Sequence, residues 1–264
     1  MKWLAERLRI GDWFYPTATV IALVVLWDVS IRVFAIRPFI LPSPAEVYES
    51  LVRDWAMLFP NLLFTVYEIL GGFFLSVVIG VGLAVAIVSW RPIEKSLYPI
   101  LVGSQVIPKV AIAPLFVIWF GFGIEPKIFV AFLIAFFPMV ISTAVGLRSV
   151  EIEKLYLARS MGASAFQVFC KIKLPHAMPS VFAGLKLAIT GAVIGAIVGE
   201  FIGADKGMGR VLLEANGEME TDVLFAGIAL LSFTGVLLFL MIDGLERVVV
   251  RWHVSQRIRE QPIP

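Results

Sequence analysis

The sequence has 264 residues, of which 59% are hydrophobic and only 16% are charged, with a formal net charge of +2. Soluble domains carry about 25% charged residues, so a soluble globular domain is excluded, and a net charge this small gives no reason to expect nucleic acid as a partner. The single cysteine, Cys170, rules out an internal disulfide and a cysteine-based metal centre, and the two histidines, His176 and His253, lie far apart, which argues against a metal role.

Lys2, Arg7 and Arg9 precede the first apolar stretch, and no small-residue cleavage site closes that stretch. The start therefore reads as a cytoplasmic tail before a retained helix rather than a secretory signal. A membrane-spanning helix needs about 20 largely apolar residues. Six segments approach or meet this, at roughly 13–36, 61–89, 97–122, 127–147, 180–204 and 223–246. The first carries Asp28 and Arg32, which at i,i+4 spacing neutralise each other on one face. Strict alternation of polar and apolar residues is absent, so barrel strands are not expected and the spans read as helices.

The connectors fit the same reading. Leu41-Pro42-Ser43-Pro44 is a turn, followed by a short amphipathic segment to about Leu58. Arg91-Pro92 and Glu125-Pro126 separate the second span from the third and the third from the fourth. Residues 148–178 and 205–222 are longer polar intervals, the second rich in acids. No repeat or interdomain linker interrupts the chain, which reads as one transmembrane domain, 1–264.

Lysine and arginine in the loops set the orientation. With the N-terminus inside, the inner segments hold Lys2, Arg7, Arg9, Arg91, Lys95, Arg148, Lys154, Arg159, Lys171, Lys173, Arg247, Arg251, Arg257 and Arg259. The outer ones hold only Arg37, Arg53, Lys127, Lys206 and Arg210. The bias places both termini in the cytoplasm.

Charges within spans need a reason, since each costs about 2.5–3.5 kcal/mol on insertion scales. Lys109 stands between Pro108 and Pro114, and prolines at such a place mark a broken helix lining a cavity. Lys109 either faces a translocation pathway and attracts a polar or anionic ligand, or pairs with Glu200 or Glu68. Glu200 either lines the pathway or gate, or reaches the interface. Glu68 is expected in a structural pair, and Lys186 is expected to snorkel to the interface. Gly191, Gly195 and Gly199 recur every four residues, a small-residue stripe that suits close helix packing. The phenylalanines Phe129, Phe132, Phe136 and Phe137 are expected to face lipid or fill the core. Trp27, Trp55 and Trp90 fall near expected interfaces.

The cytoplasmic interval 151–175 carries the functional signal. Ile152, Leu155, Tyr156 and Arg159 have helical spacing, Gly162 suits a left-handed helix end, and Ser164 with Gln167 makes a capping box for a second helix that Pro175 should end. Gly162 followed after nine residues by Ile172-x-Leu174-Pro175 resembles the conserved cytoplasmic loop of ABC importer permeases. In that family the loop forms a coupling helix seated in a groove of the ATP-binding subunit. Of the three residues that name the loop, here Tyr156, Leu157 and Ala158, only Ala158 agrees.

Val106-Ile107-Pro108-Lys109-Val110-Ala111-Ile112-Ala113-Pro114-Leu115 with Trp119-Phe120-Gly121-Phe122-Gly123 resembles the third helix of the nitrate, sulfonate and taurine permease subfamily. Leu41-Pro42-Ser43-Pro44 and Gly199-Glu200-Phe201-Ile202-Gly203-Ala204, then Gly207-Met208-Gly209, are similar to other parts of it.

The resemblance implies an all-α, type I importer permease of about six transmembrane helices in a bacterial or archaeal plasma membrane. Its ATPase-coupling residues would be Ala158, Arg159, Ser160, Gly162, Ala163, Ile172, Leu174 and Pro175, and its pathway candidates Pro108, Lys109, Pro114 and Glu200. The implied partners are a second permease copy, a dimer of ATP-binding subunits, a periplasmic or lipid-anchored solute-binding protein, and lipid. The chain has no phosphate-cradling Gly-x-x-x-x-Gly-Lys-Ser/Thr loop. ATP and Mg therefore belong to a separate subunit, and this chain is a transport subunit with no catalytic residues or cofactor of its own. The expected solute is a small anion such as a sulfonate, taurine or nitrate. A vitamin precursor or aromatic acid is the alternative, and a stand-alone secondary carrier is the alternative of a different class; it would be favoured by inverted repeats, which are not found.

Overall fold

The structure, a computed structural model, describes residues 10–250 and the side chains of all of these except residues 10–13 and 16. The basic residues expected in the terminal tails, Lys2, Arg7, Arg9, Arg251, Arg257 and Arg259, lie outside the described residues. Every regular element among the described residues is helical. In chain order these are α1 (Ile10–Val33), α2 (Pro44–Arg53), α3 (Trp55–Ser89), α4 (Arg91–Ser104), α5 (Lys109–Phe120), α6 (Glu125–Arg148), α7 (Ile152–Ser160), α8 (Ala165–Val168), α9 (Leu174–Gly203), α10 (Met208–Glu218) and α11 (Thr221–Val249).

Four helices among the described residues are long and apolar enough to cross a membrane: α3, α6, the continuous run from Ala165 to Gly203, and α11. A fifth span is reached if α4 and α5 count together. The 24 residues of α1 have spanning length, about 36 Å at about 1.5 Å per residue, and its Asp28 and Arg32 pair at 2.8 Å as their spacing requires. The third expected span, 97–122, is not one rod. It is α4 and α5, bent by 101° at a short break, because Pro108 has no N–H to continue the ladder.

The chain forms two compact units. One consists of residues up to Pro60 with Val211–Leu230. Here Ser43 caps α2 through a full capping box with Glu46, the Trp27 and Phe225 rings lie 5.9 Å apart, and Thr221 Oγ1 donates to the Pro38 carbonyl at 2.7 Å. Arg53 pairs with Asp54 at 2.7 Å and with Asp222 at 3.0 Å.

The other unit, Asn61–Arg210 with the chain from Leu231 onward, is built on α3, α6 and α9. Lipid is as apolar as leucine, so helices in it associate by close packing rather than by water exclusion. The glycine stripe does this. A Cβ on Gly195 would stand 2.5 Å from Ala131 Cα, and one on Gly199 would stand 2.9 Å from Lys127 Cα. Gly184 faces Ser142 and Gly146 faces Ser180, so α6 and α9 run antiparallel in backbone contact along their length. On α3, Gly72 meets Ala131 and Gly80 meets Met139, a parallel register against α6. Ile69, Ala131, Ala135, Met139, Ala188, Ile189, Ala192 and Ala196 fill the space between.

Two lysines of the expected outline meet carboxylates, one of them buried and one half-buried. Lys127, counted with the outer basic residues at the start of the fourth span, lies inside α6 at 6% exposure and reaches Glu68 at 3.4 Å. That meets the expectation of a structural pair for Glu68. Lys186, expected to snorkel, is half-buried and paired. Carboxylates one turn apart on α11, Asp243 at 2.5 Å and Glu246 at 2.6 Å, hold its ammonium group, and Arg247 closes on Asp243 at 2.6 Å.

Candidate functional site

The interval 149–175, where the coupling residues are expected, begins where α6 ends. α7 closes in a Schellman turn: the Ala163 N–H reaches back to Ala158 O at 3.0 Å, and the Gly162 N–H reaches Arg159 O at 2.9 Å. Gly162 sits at φ +81°, a conformation that costs any residue with a Cβ. Ser164 then starts the next helix by the expected capping box, accepting from Gln167 N at 3.3 Å while its own N–H donates to Gln167 Oε1 at 2.8 Å.

That helix does not stop at Pro175. It passes through a π-helical turn, Phe169–Lys173, and runs on as α9. The Leu174 N–H donates to Phe169 O, five residues back. The wider turn leaves room for a proline ring that would clash with the carbonyl four residues earlier in a regular α-helix. The second helix of the interval is thus the start of the span itself, and α7 is a separate piece joined to it by the turn at Gly162.

The segment offers a hydrophobic knob. Tyr156 and Leu157 are each 63% exposed, Met161 78% and Phe166 75%. Arg159, Ser160 and Gly162 are exposed, while Ala158, Ala163, Ile172 and Pro175 are half-buried, and Leu174 stands at the border. Val168, on the short helix, is buried. Burial separates the expected coupling residues into two groups. Arg159, Ser160 and Gly162 are on the surface, whereas Ala158, Ala163, Ile172 and Pro175 support it. The apolar knob was missed at the sequence level, although Tyr156 and Leu157 depart from the family pattern at that very place.

The pathway candidates split in the same way. Pro108 ends the break between α4 and α5, and Pro114 lies inside α5. At the break, Val106 is 85% and Ile107 50% exposed. Lys109 opens α5, its ammonium group 3.3 Å from Gln105 O and 4.9 Å from the centre of the Phe137 ring. Lys109 pairs with neither Glu200 nor Glu68; Lys127 occupies that place. Of the phenylalanines, Phe129 stacks on Phe116 and Phe120, and Phe136 touches both Phe132 and Phe137.

Glu200 departs from its expected place at a pathway surface or interface. It is 1% exposed. Its carboxyl group accepts Thr65 Oγ1 at 2.6 Å and the backbone N–H of Gly209. Among the described residues no group of three or more His, Cys, Asp or Glu is arranged to hold a metal ion.

Residues 76–252 match the family model described as binding-protein-dependent transport system inner membrane component. The formylaminopyrimidine transport permease of Halalkalibacterium halodurans is 36% identical over 91% of this chain and 96% of its own length. The riboflavin transport permease of Chloroflexus aurantiacus is 36% identical over 90% and 89%, and the taurine transport permease of Escherichia coli is 31% identical over 89% and 88%. A chain of the MetNI methionine ABC transporter, in inward-facing form, superposes with a TM-score of 0.66 at 20% identity, covering 75% of this chain and 98% of that one. At that identity the likeness concerns the fold.

Proposed function

The chain belongs to the family of binding-protein-dependent transport system inner membrane components, and from that premise we propose how it couples to its partners and what it carries. It is a multi-pass membrane permease subunit of an ATP-driven importer of a small solute and not an enzyme. Two copies of this chain line one pathway, with both termini in the cytoplasm of a bacterial or archaeal plasma membrane. A dimer of ATP-binding subunits, which holds ATP and Mg, docks on residues 151–175. A periplasmic or lipid-anchored solute-binding protein delivers solute to the opposite face, which carries loop 205–222.

One observation carries the coupling reading. A polar interval on a membrane protein exposes large apolar side chains, among them Tyr156, Leu157, Met161 and Phe166, on either side of the turn at Gly162. Apolar clusters rimmed by charges mark docking sites, and Glu153, Lys154, Arg159 and Lys171 supply the rim. ATP-driven closure of the partner dimer pulls α7 through this knob. Because α8 continues into α9, the pull passes directly into a spanning helix. The test is to replace Leu157 and Phe166 together with serine and measure co-purification of the ATP-binding subunit and uptake in proteoliposomes. The knob is positioned for docking, so both should fall at least tenfold, and full retention of both would refute the assignment.

The pathway reading rests on the break at residues 105–108. Irregular backbone at membrane depth is tolerated only where protein covers it or water lines it, and Lys109 brings a cation to that point between Pro108 and Pro114. Those three residues are assigned to the pathway, and the cation favours an anionic solute such as a sulfonate, taurine or nitrate. Resemblance to permeases named for formylaminopyrimidine and riboflavin favours the second reading, a vitamin precursor. Uptake by the reconstituted complex with its receptor decides between them: competition by taurine supports the first, and competition only by a formylaminopyrimidine supports the second.

A further inference from the structure

Asn61, Thr65 and Glu68 lie at i, i+4 and i+7 of α3 and so form one stripe along its face. Above this stripe, three successive backbone amides are given to side chains. Gly207 N donates to Asn61 Oδ1 at 2.9 Å, Met208 N donates to Thr65 Oγ1 at 2.8 Å, and Gly209 N donates to Glu200 Oε2. The Thr65 hydroxyl donates in turn to Glu200 Oε1 at 2.6 Å. The first amides of α10 therefore close on α3 and on the end of α9, and a carboxyl group occupies the positive end of a helix where an anion is favoured. Lys127 and Glu68, 3.4 Å apart, extend the stripe to α6.

The joint leaves no slack. Gly207 holds φ +119°, and a Cβ there would overlap the Glu200 carboxyl group. A Cβ on Gly209 would stand 2.8 Å from Glu200 Cβ. Thr65, Glu68 and Glu200 are each at most 1% exposed. Parting such a joint would strip a carboxyl group, a hydroxyl and three amides of their partners, and buried polar groups left without partners cost far more than their pairing gains.

We propose that Glu200 is a positioning residue for transport: with Asn61 and Thr65 it clamps residues 204–209 to α3 and α9, and this joint stays shut throughout the transport cycle. α3, α6, α9 and the first turn of α10 then act as one body, and the conformational change occurs elsewhere.

The test uses the complete transporter, with its ATP-binding subunits and receptor, in proteoliposomes. Phe64 and Lys206 flank the joint, the Lys206 ammonium group 4.9 Å from the centre of the Phe64 ring. In a Cys170→Ser background, Phe64→Cys with Lys206→Cys is bridged by a short thiol-cleavable crosslinker. Bridged transporter should form readily and import within about twofold of the cleaved sample. Loss of import that returns on cleavage, or no bridging at all, would overturn the proposal. Glu200→Gln should lower receptor-stimulated import at least tenfold while the amount of assembled complex and its basal ATP hydrolysis hold, with Glu200→Asp restoring part of it. A purely structural role would lower assembly and hydrolysis in parallel, which counts against positioning, as does unchanged import. Should Glu200→Gln fail to assemble, the bridged pair alone decides.

Discussion

Lys127 and Glu68 meet with less than a tenth of either side chain exposed, so neither charge can be relaxed by water. Removing one partner leaves the other buried and unpaired, which costs about 3–5 kcal/mol, whereas replacing both with apolar residues is often nearly neutral. Lys127→Met should therefore lower the unfolding temperature in detergent sharply, and Lys127→Met with Glu68→Leu should recover most of the loss; equal losses in both would contradict the pairing. Steric limits act at the same scale. Gly195→Val places its side chain against the Ala131 backbone, which cannot yield as a flexible side chain would. Folded, monodisperse protein should fall below detection by size-exclusion chromatography, while Gly217→Ala, with nothing within 4 Å, elutes normally.

At the scale of elements, the segment between α6 and α9 shows how local chemistry and context divide the work. The Schellman turn at Gly162 and the capping box at Ser164 are local hydrogen-bond patterns, legible in sequence because each needs a particular residue at a fixed offset. Ser164→Ala removes one cap bond, worth about 1 kcal/mol, and should speed amide exchange at residues 165–168 without altering exchange in the middle of α9. Gly162→Val forces a β-branched residue into a left-handed conformation that costs roughly 1–2 kcal/mol. It should reduce uptake while the protein still inserts; unchanged uptake would show that the turn is not needed. Pro175 misled for a physical reason. A proline ends a regular α-helix, but the π turn at Phe169–Lys173 opens the ladder by one residue and the helix continues.

For the whole molecule, the helices of the larger unit alternate in direction as a threaded bundle must: α3 and α6 run parallel, and α9 runs against them. This puts Arg159 and Lys206 on opposite sides. With both termini inside, a cysteine at Lys206 in a Cys170→Ser background should react with a membrane-impermeant maleimide in intact cells, and one at Arg159 should react only after lysis. The reverse pattern would invert the orientation.

The sequence by itself determined the all-helical membrane class, most helix positions and the helix–glycine–helix design of residues 151–175, because hydrophobic length, caps and turns are local properties. The tertiary structure alone decided the partners of the charges. Lys127, Lys186 and Glu200 each carry a mark in the sequence, a charge near or within a span, but the carboxylates, hydroxyl and amide that answer it come from helices between 9 and 135 positions away. Packing brings those groups together, and the pairing follows from backbone contact along the glycine stripe. The bend at residues 105–108 was visible as a pair of prolines, yet its angle of 101° appears only in the tertiary structure.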